Sequence, residues 1–251
     1  MTKFTLSLLL LSLLLAVSAF AGARRFTYIY EATTAAPGGF ELENWITWQS
    51  QKIADNEFQE VDFRHEIEFG ITDQLQAGVY LADWFYQSGR FVESSGFAYS
   101  DSALELIYNL SSPVADPVGL AVYEEIKAGD RLFELESKLI AQKNFGKLVV
   151  AYNATLEAVW EGNHLDEREG EFQQTLGASY EFTPRLLAGA EFLHEIAFPD
   201  WLQAEDGVVF GGPNISYRIG RWWTTLTGLA QLTRNRNESD FQVRTIFGCT
   251  F

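Results

Sequence analysis

The chain has 251 residues, 34 of them Asp or Glu against 18 Lys or Arg, for a formal charge of −16. Such acidity argues against nucleic acid and anionic lipid headgroups as partners, and a single cysteine, Cys249, excludes an internal disulfide or a thiolate metal cluster. Aromatics make up 15% of residues although mean hydropathy is only −0.06, the composition of strands with one apolar and one polar face.

In chain order, Lys3 precedes an apolar run from Phe4 to Phe20 that ends at Ala19-Phe20-Ala21. One positive charge, a Leu-rich core and small residues at the cleavage positions predict a secretory signal peptide over 1–21, cut after Ala21. Arg24-Arg25 follow the apolar core, so the signal is not of the twin-arginine kind. After residue 21 no run of 18 residues is continuously apolar, so no membrane-spanning helix is expected. Residues 22–39 precede the first strand and are read as a periplasmic tail, an extra strand or a segment entering a barrel.

From Phe40 onward the pattern has period two. Val61 to Phe69 alternates Val, Phe, His, Ile, Phe with Asp, Arg, Glu, Glu; Phe133 to Ala141 and Phe172 to Phe182 do likewise. Such segments predict strands near 40–50, 57–70, 75–87, 97–110, 117–128, 131–143, 147–160, 170–182, 186–197, 207–218, 222–233 and 240–251. Most exceed the length usual in soluble sheets and suit tilted, membrane-crossing strands. Tight turns (71–74, 144–146, 183–185, 219–221) alternate with mostly longer polar loops (88–96, 161–169, 198–206, 234–239). The motif Thr-x-x-Leu-x-Ala-Gly occurs at two of the turns, from Thr72 and from Thr183.

The last strand ends on alternating Phe247, Cys249 and Phe251. A terminal aromatic there resembles the signal read by the outer-membrane barrel assembly machinery, with Phe247 and Phe251 as its residues. Lipid offers no hydrogen bonds, so a sheet inside it must close. The expectation is therefore an all-β, closed, antiparallel, up-and-down transmembrane barrel of about 12 strands over 40–251. Periplasmic turns are short, extracellular loops are longer, and both termini are periplasmic. Outward aromatics should band at two rims: Phe40, Phe69, Tyr108, Phe182, Tyr217, Trp222 and Phe251 at one, Trp48, Phe85, Phe133, Trp160 and Phe172 at the other.

The opposite parity should line the lumen with Glu41, Glu43, Asp62, Arg64, Glu66, Glu68, Glu105, Glu134, Glu136, Lys138, Arg218 and Arg244. Closure is expected to bring Arg244 beside Glu41 and Glu43, with Arg64 on their other side. Two readings follow. Either acids and bases of neighbouring strands fill a narrow lumen and the outer loops carry the function, or the excess acid lines a small pore favouring cations. A rim-located hydrolase is a remote third. His65 lies on outward parity, His164 in the acidic loop Glu161 to Glu169, and His194 near the outer rim, and no serine stands in a recognisable nucleophile setting. No catalytic residue, metal or cofactor is called for.

Several stretches carry a family resemblance: Tyr28-Ile29-Tyr30-Glu31, Gly39-Phe40-Glu41-Leu42-Glu43, Phe69 to Leu75, Asp116 to Ala121, Gly212-Pro213-Asn214, Arg221-Trp222-Trp223 and the Phe247-Gly248-x-Thr250-Phe251 ending. Through them the chain resembles a little-characterised family of outer-membrane β-barrel proteins, and in style it is similar to barrels associated with aromatic-compound degradation. The resemblance implies location and fold, not substrate. The expected protein is a monomeric outer-membrane barrel, partnered by outer-membrane lipids, the assembly machinery and small cationic or neutral solutes.

Overall fold

The computed structural model describes residues 24–92 and 94–251, so the signal peptide expected over 1–21 lies outside the described residues. The strands are β1 (Phe40–Lys52), β2 (Gln59–Gly70), β3 (Leu75–Tyr80), β4 (Trp84–Ser88), β5 (Gly96–Tyr99), β6 (Asp101–Ser111) and β7 (Gly119–Gly129). They continue as β8 (Leu132–Phe145), β9 (Leu148–Glu161), β10 (Glu167–Thr183), β11 (Leu186–Pro199), β12 (Val208–Ile219), β13 (Trp222–Gln231) and β14 (Ser239–Thr250). Each pairs antiparallel with its neighbours, and β1 joins both β2 and β14, which closes the ring. β3 with β4, and β5 with β6, are single strands interrupted once, so the barrel has twelve staves. Among the described residues no helix is long and apolar enough to cross a membrane.

One rim carries the start of β1, the end of β14 and tight connections. At two of these, Thr72 Oγ1 accepts the N–H groups of Gln74 and Leu75, and Thr183 Oγ1 those of Arg185 and Leu186. The repeated motif is thus one turn made twice by a hydroxyl that satisfies the backbone of the next strand's first residues. The opposite rim carries mostly longer loops, although β7 and β8 are joined by residues 130 and 131 alone.

The interruption between β3 and β4 is a bulge against β2, and it corrects the expected parity. Glu66 faces Tyr80 and Phe63 faces Trp84, so three residues on one strand oppose two on β2. One inserted residue turns every later side chain to the other face. Asp83 therefore points inward to Arg64, and Phe85, expected on the outer belt, stands opposite inward-facing Asp62. Trp84 and Tyr86 take the outer positions, against Tyr99 and Phe97.

Burial is inverted relative to a water-soluble fold. Leu139, Leu156 and Leu176 are exposed on the outer surface at 64%, 62% and 48%, whereas Glu43, Glu66 and Glu105 are inaccessible at 0%. An apolar exterior around a charged interior is stable when the surrounding medium is hydrocarbon. Phe40, Phe69, Tyr108, Phe182, Tyr217, Trp222 and Phe251 are exposed at the short-turn rim as expected.

The lumen is occupied on its short-turn side by the segment Arg24 to Pro37, which enters the barrel and runs back to the rim before β1. It forms no strand, so its backbone is satisfied by wall side chains. Glu191 accepts the N–H groups of Thr27 and Tyr28, the Asn153 amide holds both N–H and C=O of Tyr30, and Gln142 accepts from Ala32. Asn109 donates to the Ala32 carbonyl and Gln76 accepts from Ala35, and the segment leaves at the Pro37–Gly70 bridge. Phe26 and Ile29 lie over Gly177, where a larger side chain would collide with both. They pack with Val149, Leu193, Phe210 and Leu229, while Tyr30 packs with Ile107, Tyr123 and Ile140.

Candidate functional site

The functional candidates line the lumen, and strand register dictates how they meet. Following directly opposed residues around the wall gives Glu41, Glu68, Gly78, Glu105, Glu125, Glu136, Glu157 and Glu171, on β1, β2, β3, β6, β7, β8, β9 and β10 in turn. Because a closed sheet is sheared, such a row climbs the wall as it goes round. Glu41 is one residue from the short-turn end of β1, and Glu171 lies near the long-loop end of β10. The result is a carboxylate ramp running from one mouth of the barrel towards the other.

Like charges directly opposed across strands repel, so the ramp needs cations between its members. Arg64 bridges Asp83 at 2.6 Å and Glu125 at 3.3 Å. Lys127 reaches Glu134 at 2.6 Å and Glu125 at 3.2 Å, and Lys138 reaches Glu136 at 2.7 Å. At the lower end the base comes from the inserted segment: Arg24 lies 2.9 Å from Glu43, 2.6 Å from Glu68 and 3.6 Å from Glu66. Its neighbour Arg25 lies 2.6 Å from Glu31, whose charge holds the guanidinium above its ordinary range. The segment's tyrosines meet wall cations, Arg244 over Tyr28 at 4.0 Å and Lys138 over Tyr30 at 4.3 Å.

The structure therefore brings together Glu41, Glu43, Glu66, Glu68 and Glu105 as one group and Arg64, Glu134, Glu136 and Lys138 as another. Glu41 accepts from the Trp223 indole, and Glu105 from the hydroxyls of Tyr80 at 2.8 Å and Tyr30 at 3.1 Å. Asp62 sits higher on β2, 3.4 Å from the Gln49 amide. Arg218 stands apart near the short-turn mouth with Glu181 at 3.1 Å. Phe247 and Phe251 face outward, Phe251 against Phe40.

Two expected pairings are overturned. Arg244 stands opposite Thr47, donates to its hydroxyl at 2.9 Å, and is not the partner of Glu41 or Glu43. Arg64 is likewise turned to Asp83 and Glu125. Antiparallel register sets Arg244 and Arg64 opposite Thr47 and Trp45, further up β1 than the acids they were expected to meet. Arg24 takes that role, with Asp83, Lys127, Tyr80 and Tyr123 as further lumen groups missed in the sequence. Lys127 and Tyr123 share parity with Glu125, and that was the available signal. His65 and His194 face outward, against the amides of Asn44 and Gln174.

Above the inserted segment the lumen opens into a polar chamber of about 340 Å³, floored by Thr27, Tyr28 and Tyr30. The bases Arg64, Lys127, Lys138 and Arg244 line it beside the acids Glu157, Glu171 and Glu195, and the ion pairs among the described residues leave those three acids out. Glu171 and Glu195 share the amide of Gln173, at 3.4 and 3.2 Å.

A closed antiparallel barrel with an apolar belt and a charged lumen is the construction of outer-membrane β-barrels, and solved members of that class superpose on it. The COG4313 outer membrane channel from Pseudomonas putida F1 matches with a TM-score of 0.64 at 12% identity, covering 88% of this chain and 98% of the channel. The NanC porin matches with 0.57 at 8%, covering 84% and 98%, and the β domain of the Bordetella autotransporter BrkA with 0.53 at 11%, covering 86% and 100%. At such identities the likeness is one of fold. The chain belongs to DUF6662, a family of unknown function, over residues 18–245. No curated protein matches it.

Proposed function

We propose that this outer-membrane barrel passes small solutes, cations in preference to anions, with the upper chamber as the entry site and residues 24–37 as the barrier below it. The observation that carries the reading is the carboxylate ramp between the two mouths, whose upper members Glu157 and Glu171 form no ion pair among the described residues. Acidic linings attract cations and repel anions. The fold shared with a channel and a porin is consistent with passage. Export by a signal peptide cut after Ala21, insertion guided by Phe247 and Phe251, and a monomer in outer-membrane lipid belong to the same proposal.

A permanently filled barrel is the second reading, favoured by the apolar packing of Phe26, Ile29 and Tyr30 against the wall. Planar-bilayer recording decides between them. The intact mature chain should conduct weakly or intermittently, whereas a chain lacking residues 24–36 should give steady steps whose reversal potential in a KCl gradient favours K⁺. Silence from the truncated, correctly folded barrel would refute passage.

A further inference from the structure

The lower acidic group holds more negative charge than the inserted segment neutralises. Glu43, Glu66, Glu68 and Glu105 are all buried, and among the described residues the one cation paired with them is Arg24. Its guanidinium is committed to Glu43 and Glu68, at 2.9 and 2.6 Å, and stands off from Glu66 at 3.6 Å. Among the described residues both carboxylate oxygens of Glu66 are buried without a hydrogen-bond partner, and so is Oε1 of Glu105, whose Oε2 takes the Tyr80 and Tyr30 hydroxyls. By contrast the upper group of Glu125, Glu134 and Glu136 has Arg64, Lys127 and Lys138 as partners. Buried charge left unpaired is unfavourable, so something further must sit against Glu66 and Glu105.

The wall leaves room for it. Gly78 lies between Glu68 and Glu105 in the ladder. A Cβ there would stand 2.6 Å from Glu66 Oε1 and 3.4 Å from Glu105 Oε1, so the free oxygens converge on the space a side chain would fill. One oxygen each from Glu66, Glu68 and Glu105 lies within 4.8 Å of the others.

We propose that Glu66, Glu68 and Glu105 hold one divalent cation over Gly78, of the hard, oxygen-seeking kind that calcium represents. All protein ligands are carboxylate oxygens, the donor set of calcium and magnesium rather than zinc or copper. Calcium fits better, because its coordination is flexible and accepts carboxylates from different strands with water completing the shell. His65 is adjacent in sequence but faces the outer surface and offers no nitrogen. The site is independent of whether the barrel conducts: it secures the wall behind Arg24 in an open or a closed lumen.

The test is equilibrium dialysis of the intact mature barrel, folded in detergent and stripped with chelator, against radioactive calcium. One saturable calcium per chain is expected, together with a rise in the temperature at which the folded band on a gel converts to the unfolded one. Glu66→Gln and Gly78→Ala should each weaken calcium binding at least tenfold and abolish the temperature rise. Glu124→Gln, on the outer face of β7 where the carboxylate accepts from the Ser137 hydroxyl, should leave both intact. The milder Gly78→Ala keeps every carboxylate, so loss of calcium there cannot be ascribed to lost charge. Absence of saturable calcium in the folded wild-type barrel would mean that protons alone neutralise the group and would overturn the site; so would undiminished binding in both variants.

Discussion

Arg24→Ala tests whether one ion-pair cluster governs how firmly residues 24–37 stay in the barrel. The change removes the base that meets Glu43, Glu66 and Glu68, while the backbone carbonyl of Arg24 keeps its bonds from the hydroxyls of Ser216 and Thr225. Removing one partner of a buried ion pair typically costs about 3–5 kcal/mol, since the other charge stays behind uncompensated. The low end applies here, because water can follow into the space Arg24 vacates. About 3 kcal/mol corresponds to a change on the order of 100-fold in the docking equilibrium. The segment should still spend most of its time docked, held by Glu191, Asn153 and Gln142. Amide hydrogen exchange of the peptide containing Thr27, Tyr28, Tyr30 and Ala32 measures the open fraction when closing is fast. Exchange of these amides should quicken by about two orders of magnitude, while strands β9 and β10 exchange as before. A change under about threefold would show that Arg24 does not anchor the segment. Equal acceleration throughout the barrel would show that the variant loosens the whole wall instead.

Glu191→Ala should undock the segment further along. It strips the acceptor from the amides of Thr27 and Tyr28, the Asn214 amide and the Thr227 hydroxyl, and bonds to a charged acceptor contribute roughly 1.5–3 kcal/mol each. Exchange at Thr27 and Tyr28 should rise at least 100-fold, with Glu195→Ala as the neutral control; equal rates in the two variants would contradict the assignment. Deleting Phe251 should lower the fraction of chain that reaches the folded, heat-modifiable form in the outer membrane, and an unchanged fraction would remove its role in assembly.

The barrel itself was legible in the sequence because its signals are local. Alternation of period two follows from strand geometry, and each turn is written in its own few residues, as with Thr72 and Thr183. Residues 81–83 show where that reading fails. Val79-Tyr80-Leu81-Ala82 is apolar on both parities, so a one-residue slip leaves no polar marker, apart from Asp83, which unshifted counting would have placed in lipid.

Composition and periodicity thus determined the strands and which face carries charge, since each depends on neighbours a few residues away, and closure followed because lipid offers an open sheet edge no hydrogen-bond partner. Tertiary structure alone decided which charges meet. The shear of the closed sheet carries Arg244 past Glu41 and Glu43 to Thr47, and the return of residues 24–37 through the lumen supplies Arg24 instead. That return depends on distant features acting together: Gly177 on β10 leaving space for Phe26 and Ile29, Leu193 and Phe210 packing against them, and Asn153 and Glu191 presenting partners for a bare backbone. No single stretch of sequence contains that complementarity, because it exists only once twelve staves enclose one space.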